Sequence, residues 1–187
     1  MVIKSSQSGF TLVELIIVIV LVGFLATMST DIITLPIKSY LDLERRTTLA
    51  DTADSSLRRM QRDIRRALPN SIRITNAGAN IEFLHISDGG RYRTKLAPDS
   101  TGDILKFNSA DSSFDVLGTL NQVPSGSLVI YNLSATDSVA NAYTKDNLAS
   151  IGNTSTTDLI VLQPAKKFPL QSPLQRFFIV DTPITYS

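Results

Sequence analysis

A carboxylate stands at the head of an apolar run in this chain, and it is the residue whose chemistry most needs a reason. Glu14 follows Gly9-Phe10-Thr11-Leu12-Val13, and from Leu15 to Val22 every residue is Leu, Ile or Val. Gly23-Phe24-Leu25-Ala26 continues the run. An ionised Glu near the centre of a bilayer costs about 2.5–3.5 kcal/mol on insertion scales, and less near the interface. A sequence that keeps such a residue calls for a cationic partner. Cutting the chain after Gly9 would supply one, by freeing an α-amine on Phe10. That amine would lie about one helical turn from Glu14, or face the Glu14 of a neighbouring subunit.

Little other reactive chemistry competes. The chain has no cysteine and one histidine, His85, in an apolar strand-like stretch, so thiolate metal sites and most nucleophile–base pairs are excluded. His85 reads as a sheet residue. Asp99, Asp103, Asp111 and Asp115 carry oxygens suited to calcium but lack the spacing of a calcium loop, so turn chemistry is the better account. No cofactor is expected. Arg58, Arg59, Arg62, Arg65 and Arg66, with Arg45 and Arg46 upstream, form a basic cluster. Acids intervene at Glu44, Asp51, Asp54 and Asp63, and the Asp54/Arg58 and Arg59/Asp63 spacings suit helix-surface ion pairs. No aromatic interleaves to stack a base, which argues against nucleic acid as a partner. The net charge of +1 points to no polyanion either.

These residues need a helix to hold them. Leu49, Ala53, Leu57, Met60, Ile64 and Leu68 recur at spacings of three and four, which predicts one buried helical stripe ending at Pro69-Asn70. Phe10 to Leu68, if helical throughout, spans about 89 Å. About a third of that fits a bilayer core, so the remainder enters a soluble domain. Pro36 is expected to kink the helix near residues 32–36, with Ser29, Thr30 and Asp31 as a second weak place.

Beyond Pro69 the pattern turns to strands at Ser71–Thr75, Asn80–Ile86, Arg91–Leu96, Ile104–Phe107, Phe114–Leu117, Leu128–Leu133, Leu159–Leu162 and Phe177–Asp181. Turns are expected at Asn76-Ala77-Gly78, Asp88-Gly89-Gly90, Pro98-Asp99, Thr101-Gly102-Asp103 and Pro124-Ser125-Gly126. Residues 134–157, rich in Ser, Thr, Asn and Ala, read as a long surface excursion with little structure. A long helix followed by strands predicts an α+β fold with an antiparallel sheet packed on the helix. The chain stops on a strand-like segment, which fits a closing edge strand or a C-terminal truncation, the latter preferred.

The polar leader with Lys4, then Gly9, Phe10, Thr11, Leu12 and Glu14 before an apolar helix, resembles the class III signal of type IV pilins and type II secretion pseudopilins. The resemblance implies cleavage between Gly9 and Phe10 by a prepilin peptidase, N-methylation of Phe10, and a role for Glu14 in assembly with other subunits. It implies a leader at 1–9, a transmembrane and assembly helix at 10–30, an amphipathic helix at 31–69 and a β-rich periplasmic domain at 70–187. Lys4 on the short side fits a cytoplasmic N-terminus in the bacterial inner membrane. One departure is Asp31, where many major pilins have a kinking proline. Residues 58–73, with Ile81-Glu82-Phe83-Leu84, Gly89-Gly90-Arg91-Tyr92-Arg93 and Phe178–Pro183, are similar to MshO-type minor pilins of the MSHA pilus. Pseudopilin J components are the next resemblance, and a DNA- or surface-binding tip subunit is the alternative from another class. A conventional signal peptide fits poorly, because Glu14 heads the apolar region and no clean A-x-A site follows. No enzymatic activity is expected.

Overall fold

The computed structural model describes residues 9–137 and 139–187, apart from the side chains of residues 29–33. Lys4 and the rest of the leader before Gly9 lie outside the described residues, as do the side chains of Ser29, Thr30 and Asp31. The chain divides into two compact units, Met1–Leu57 and Arg58–Ser187.

One helix, α1, runs from Leu12 to Arg65, with Pro36 inside it. Its N-terminal apolar side chains are exposed all round, from Val18 at 47% to Leu12 at 73%. Farther along, threonine and serine hydroxyls donate back to helix carbonyls, as Thr52 does to Thr48 at 2.7 Å. Among the described residues no helix is long and apolar enough to cross a membrane. The described side chains of this apolar stretch stop at Met28.

The helical stripe is only partly buried. Leu49 and Leu57 are exposed, Met60 and Ile64 are half-buried, and Leu68 is buried at 1%. The helix also ends earlier than Pro69 predicts. After Arg65 the Ala67 backbone bridges to His85, Leu68 N–H donates to Leu84 carbonyl at 2.7 Å, and Ile86 N–H donates to Arg66 carbonyl at 2.8 Å. The Arg66 and Ala67 N–H groups still donate to the Asp63 and Ile64 carbonyls in a tightened last turn, while the Arg66 carbonyl and the Leu68 N–H take partners on the edge of a strand.

That strand belongs to a five-stranded antiparallel sheet formed by β1 (Arg73–Thr75), β2 (Asn80–Arg91), β4 (Ser127–Ile130), β5 (Leu148–Ser150) and β7 (Arg176–Tyr186). The order is β1-β2-β7-β4-β5. β3 (Asp111–Asp115) and β6 (Leu159–Lys166) pair as a second, two-stranded sheet. The fold is thus α+β, a long N-terminal helix followed by an antiparallel β domain. β7 lies between β2 and β4, so the last strand is interior and not an edge.

The core follows from period-two alternation on strands covered on both faces. Leu128, Ile130, Phe177 and Ile179 point into a cluster with Phe114, Ile160 and Tyr92, while Val129 and Val180 join Leu68, Leu84 and Ala142. Asp88-Gly89-Gly90 is not a turn, because β2 runs through it beside Phe177 and Phe178, with a register shift at Asp88. Residues 91–96 and 104–107 form no strand beyond Arg91, although Leu105 N–H donates to Arg93 carbonyl at 3.0 Å.

Residues 134–157 are more ordered than their composition suggests. They contain β5, and the Asp146 carboxylate accepts the backbone N–H groups of Ala140 at 2.6 Å and Asn141 at 2.8 Å. Asn132 Oδ1 accepts the N–H of Ala142 at 2.9 Å. Tyr143 then pins the excursion to the sheet. Its hydroxyl donates to the Ser71 carbonyl at 2.9 Å, and the Arg73 guanidinium lies 3.6 Å above its ring. Burial raises the Tyr143 phenol to about 12, opposed by Arg73 and assisted by Glu82. The folded value exceeds the ordinary value of 10, so this contribution to stability is complete below pH 10 and is lost as pH rises through 12. An ultraviolet titration should show one tyrosine ionising near pH 12, and Tyr143→Phe should remove that step.

Candidate functional site

The chemistry read from the sequence sits where α1 begins, and Thr11 decides where that is. Its side-chain Oγ1 accepts the N–H of Glu14 at 3.3 Å, and its carbonyl accepts the N–H of Leu15 at 3.2 Å. Thr11 is therefore the N-cap, with Glu14 three residues on, as in a capping box. In the sequence Thr11 stands out only as part of the signal, although the T-x-x-E spacing before an apolar run also marks it as a cap.

The cap keeps Gly9 and Phe10 outside the helix, and both are exposed. Among the described residues, a Cβ built on Gly9 meets nothing within 4 Å.

Glu14 lies in the first turn, where the helix dipole presents partial positive charge and favours a carboxylate. A new α-amine on Phe10 would meet that same positive end. Glu14 is the acid nearest in sequence that can offset it. The structure thus places Gly9, Phe10 and Glu14 around one capped helix terminus. Pro36 is separate from them, inside α1, where its missing N–H leaves one helical carbonyl without its donor. Thr27, near the end of the apolar stretch, donates its hydroxyl to the Phe24 carbonyl at 2.8 Å, so that polar group is satisfied within the helix.

The other candidates have ordinary partners. Arg59 lies 3.9 Å from Asp63, and Asp63 also accepts the Tyr186 hydroxyl. That hydrogen bond raises the Tyr186 pKa and ties the last helical turns to the end of β7. His85 Nδ1 is 3.4 Å from Asp181 Oδ2. Asp115 pairs with Arg93 at 3.2 Å, Asp111 accepts the Lys106 N–H at 2.8 Å, and Asp103 accepts the Ser113 hydroxyl. Asp99 accepts the N–H and hydroxyl of Thr101, whose hydrogen bonds hold its carboxyl below the usual range. Among the described residues no group of three or more histidines or acids is placed to hold a metal ion.

Residues 4–30 match the family described as the prokaryotic N-terminal methylation motif. No curated protein and no solved structure matches the chain. The motif implies processing by a prepilin peptidase and assembly with other pilin subunits, and it indicates a structural subunit. Its match covers the capped terminus and the apolar helix, and so the chain carries a type IV pilin-like prepilin signal of the kind that marks pilins and pseudopilins.

Proposed function

We propose that the chain is a minor pilin that enters a type IV pilus of the MSHA kind, or primes it. The observation that carries the reading is the exposed Gly9–Phe10 pair set just before a Thr11-capped apolar helix with Glu14 in its first turn. The precursor sits in the bacterial inner membrane by its apolar helix, with Lys4 in the cytoplasm and the β domain outside. Peptidase cuts after Gly9 and methylates the Phe10 amine. In the fibre the helix leaves lipid for other helices, a transfer that gains little from apolar burial because lipid tails are equally apolar. Register must therefore come from close packing and from polar pairing. Glu14 pairs with the Phe10 amine of an adjoining subunit, which offsets the cost of burying either charge alone. Pro36 supplies the bend that lets the helix follow its neighbours. The finer assignment to an MSHA minor pilin rests on the resemblance of residues 58–73, 81–84, 89–93 and 178–183 to MshO-type minor pilins.

Mass spectrometry of the mature N-terminus tests the processing step: the chain should begin at Phe10 and carry one added methyl group. Glu14→Ala should leave cleavage and membrane insertion intact while lowering incorporation into fibres by about tenfold or more, as expected when one member of a buried charge pair is removed. Normal incorporation of that variant would defeat the pairing.

A further inference from the structure

The β domain holds a groove of about 510 Å³ that the processing signal does not explain. Arg65 and Arg66 line it at the end of α1, with Arg91 of β2 and Arg176 of β7. All four are exposed, and among the described residues none has a carboxylate within 4.0 Å, while Arg59, Arg73 and Arg93 do. Arg91 and Arg176 are direct cross-strand partners, so two like charges stand opposite each other on the β2–β7 ladder. That pairing is unfavourable by itself. Asp88, the one acid lining the groove, has both oxygens engaged, by the N–H of Gly89 at 2.8 Å and the N–H of Asn121 at 3.2 Å.

A smaller cavity of about 270 Å³ adjoins the groove, since Arg176 and Phe178 line both. Leu68, Pro69, Tyr131, Pro173 and Leu174 give this second space an apolar wall. Its polar groups are already spent. Asn132 Nδ2 donates to the Pro69 carbonyl at 2.9 Å, Asn70 Nδ2 to the Asn132 carbonyl at 3.1 Å, and the Ser172 hydroxyl accepts the Arg176 N–H at 3.1 Å. The segment shared by the two spaces is fixed in place. Ser172 N–H donates to the buried Tyr92 hydroxyl at 2.9 Å, and Arg91 Nε donates to the Leu174 carbonyl at 3.1 Å.

We propose that groove and pocket form one binding site for a small amphiphilic dianion, with its negative charge at one end and an apolar group at the other. Guanidinium suits the charged end, because its planar fork pairs with carboxylate or phosphate at two points. A doubly charged group between Arg91 and Arg176 also relieves their mutual repulsion. Exposed arginines alone would take any polyanion; the adjoining apolar space is what selects an amphiphile. A concave space of a few hundred Å³ with apolar walls and a few convergent charges is the usual form of a small-ligand site. Every residue of the site lies in the unit Arg58–Ser187, so it goes beyond the fibre-subunit reading without depending on it.

The test is calorimetric titration of the full-length precursor in lipid nanodiscs, with empty nanodiscs as the blank. N-hexanoylglutamate should bind about tenfold or more tightly than N-acetylglutamate, because its additional methylenes enter the apolar pocket. Hexyl phosphate separates the two oxyanions: whichever of it and N-hexanoylglutamate binds tighter, with the same dependence on arginine, supports the site and names its charged group. Arg66→Gln with Arg176→Gln should weaken every probe by about tenfold or more. Leu174→Asn should abolish the preference for the hexanoyl chain and leave N-acetylglutamate unchanged. Thermal melts without probe check the fold, and the arginine variant should melt no lower than wild type, since it removes like charges that oppose each other. The proposal is overturned if folded wild type binds none of the probes, or if the acetyl and hexanoyl compounds bind alike. Binding that survives loss of both arginines overturns it too, as does an arginine variant that melts lower and so assigns these side chains to the fold. Polyglutamate or duplex DNA held more tightly than N-hexanoylglutamate, with no loss in Leu174→Asn, would make the groove a general polyanion surface instead.

Discussion

Gly9→Val should leave the precursor uncut, with processing slowed by about a hundredfold or more, while the folded chain is unchanged. The two halves of that expectation come from different places. Among the described residues a Cβ at residue 9 meets no atom within 4 Å, and Gly9 lies outside the helix that Thr11 caps. A larger side chain there costs the protein itself nothing by collision. Any loss therefore arises in the peptidase pocket, which must accept the residue before the cut, and pockets shaped to exclude bulk discriminate strongly. Pulse-labelling with separation of precursor and mature forms, together with a thermal melt, reads both halves. Cleavage at the wild-type rate would mean that the protease does not recognise Gly9.

Thr11 connects this to the helix. Without its hydroxyl, one of the four free N–H groups of the first turn loses its partner, at a cost near 1 kcal/mol. The first turn would then fray toward Glu14. Cap and carboxylate act on the same few residues of the first turn, so on the proposed function one local structure sets both cutting and charge pairing.

How far the chain could be read in advance depended on whether each signal was local. Helix and apolar run were legible because their periodicity is self-contained, and Glu14 drew notice because charge in such a run is costly. β2, β4, β6 and β7 were legible from alternating or continuous apolar residues. Three failures share a cause, which is that distant partners decided the outcome. The end of α1 was read at Pro69, but residues 66–68 pair with β2, a contact no helix signal reports. Gly89-Gly90 resembles a turn in isolation and stays extended because Phe177 packs against it. Residues 134–157 looked unstructured because their order comes from carboxylate and amide side chains collecting backbone N–H groups, not from apolar spacing. The arginine groove was only half visible: Arg65 and Arg66 were noted on the helix, but Arg91 and Arg176 join them only through sheet pairing.

Phe177→Ala should be the most destabilising single change in the β domain, by about 3–5 kcal/mol. The ring is fully buried and meets Phe114 edge-to-face at 5.6 Å and 72°. Its backbone is paired on both sides, opposite Gly90 of β2 and Ile130 of β4, so the sheet has little freedom to close over a cavity. Gly90 is already fitted to the ring: a Cβ there would come within 2.9 Å of Phe177 Cζ and 3.1 Å of Cε1. Gly90→Ala should therefore destabilise as well, by about 1–3 kcal/mol through overpacking. Combined with Phe177→Ala, however, the added methyl enters the space the ring vacates. The double variant should lose less than the sum of the two, with a coupling of about 0.5–3 kcal/mol. Urea unfolding of the four proteins measures that coupling. Additive losses would show that ring and glycine do not share one packing site, and that β2 stays extended through Gly89-Gly90 for some other reason.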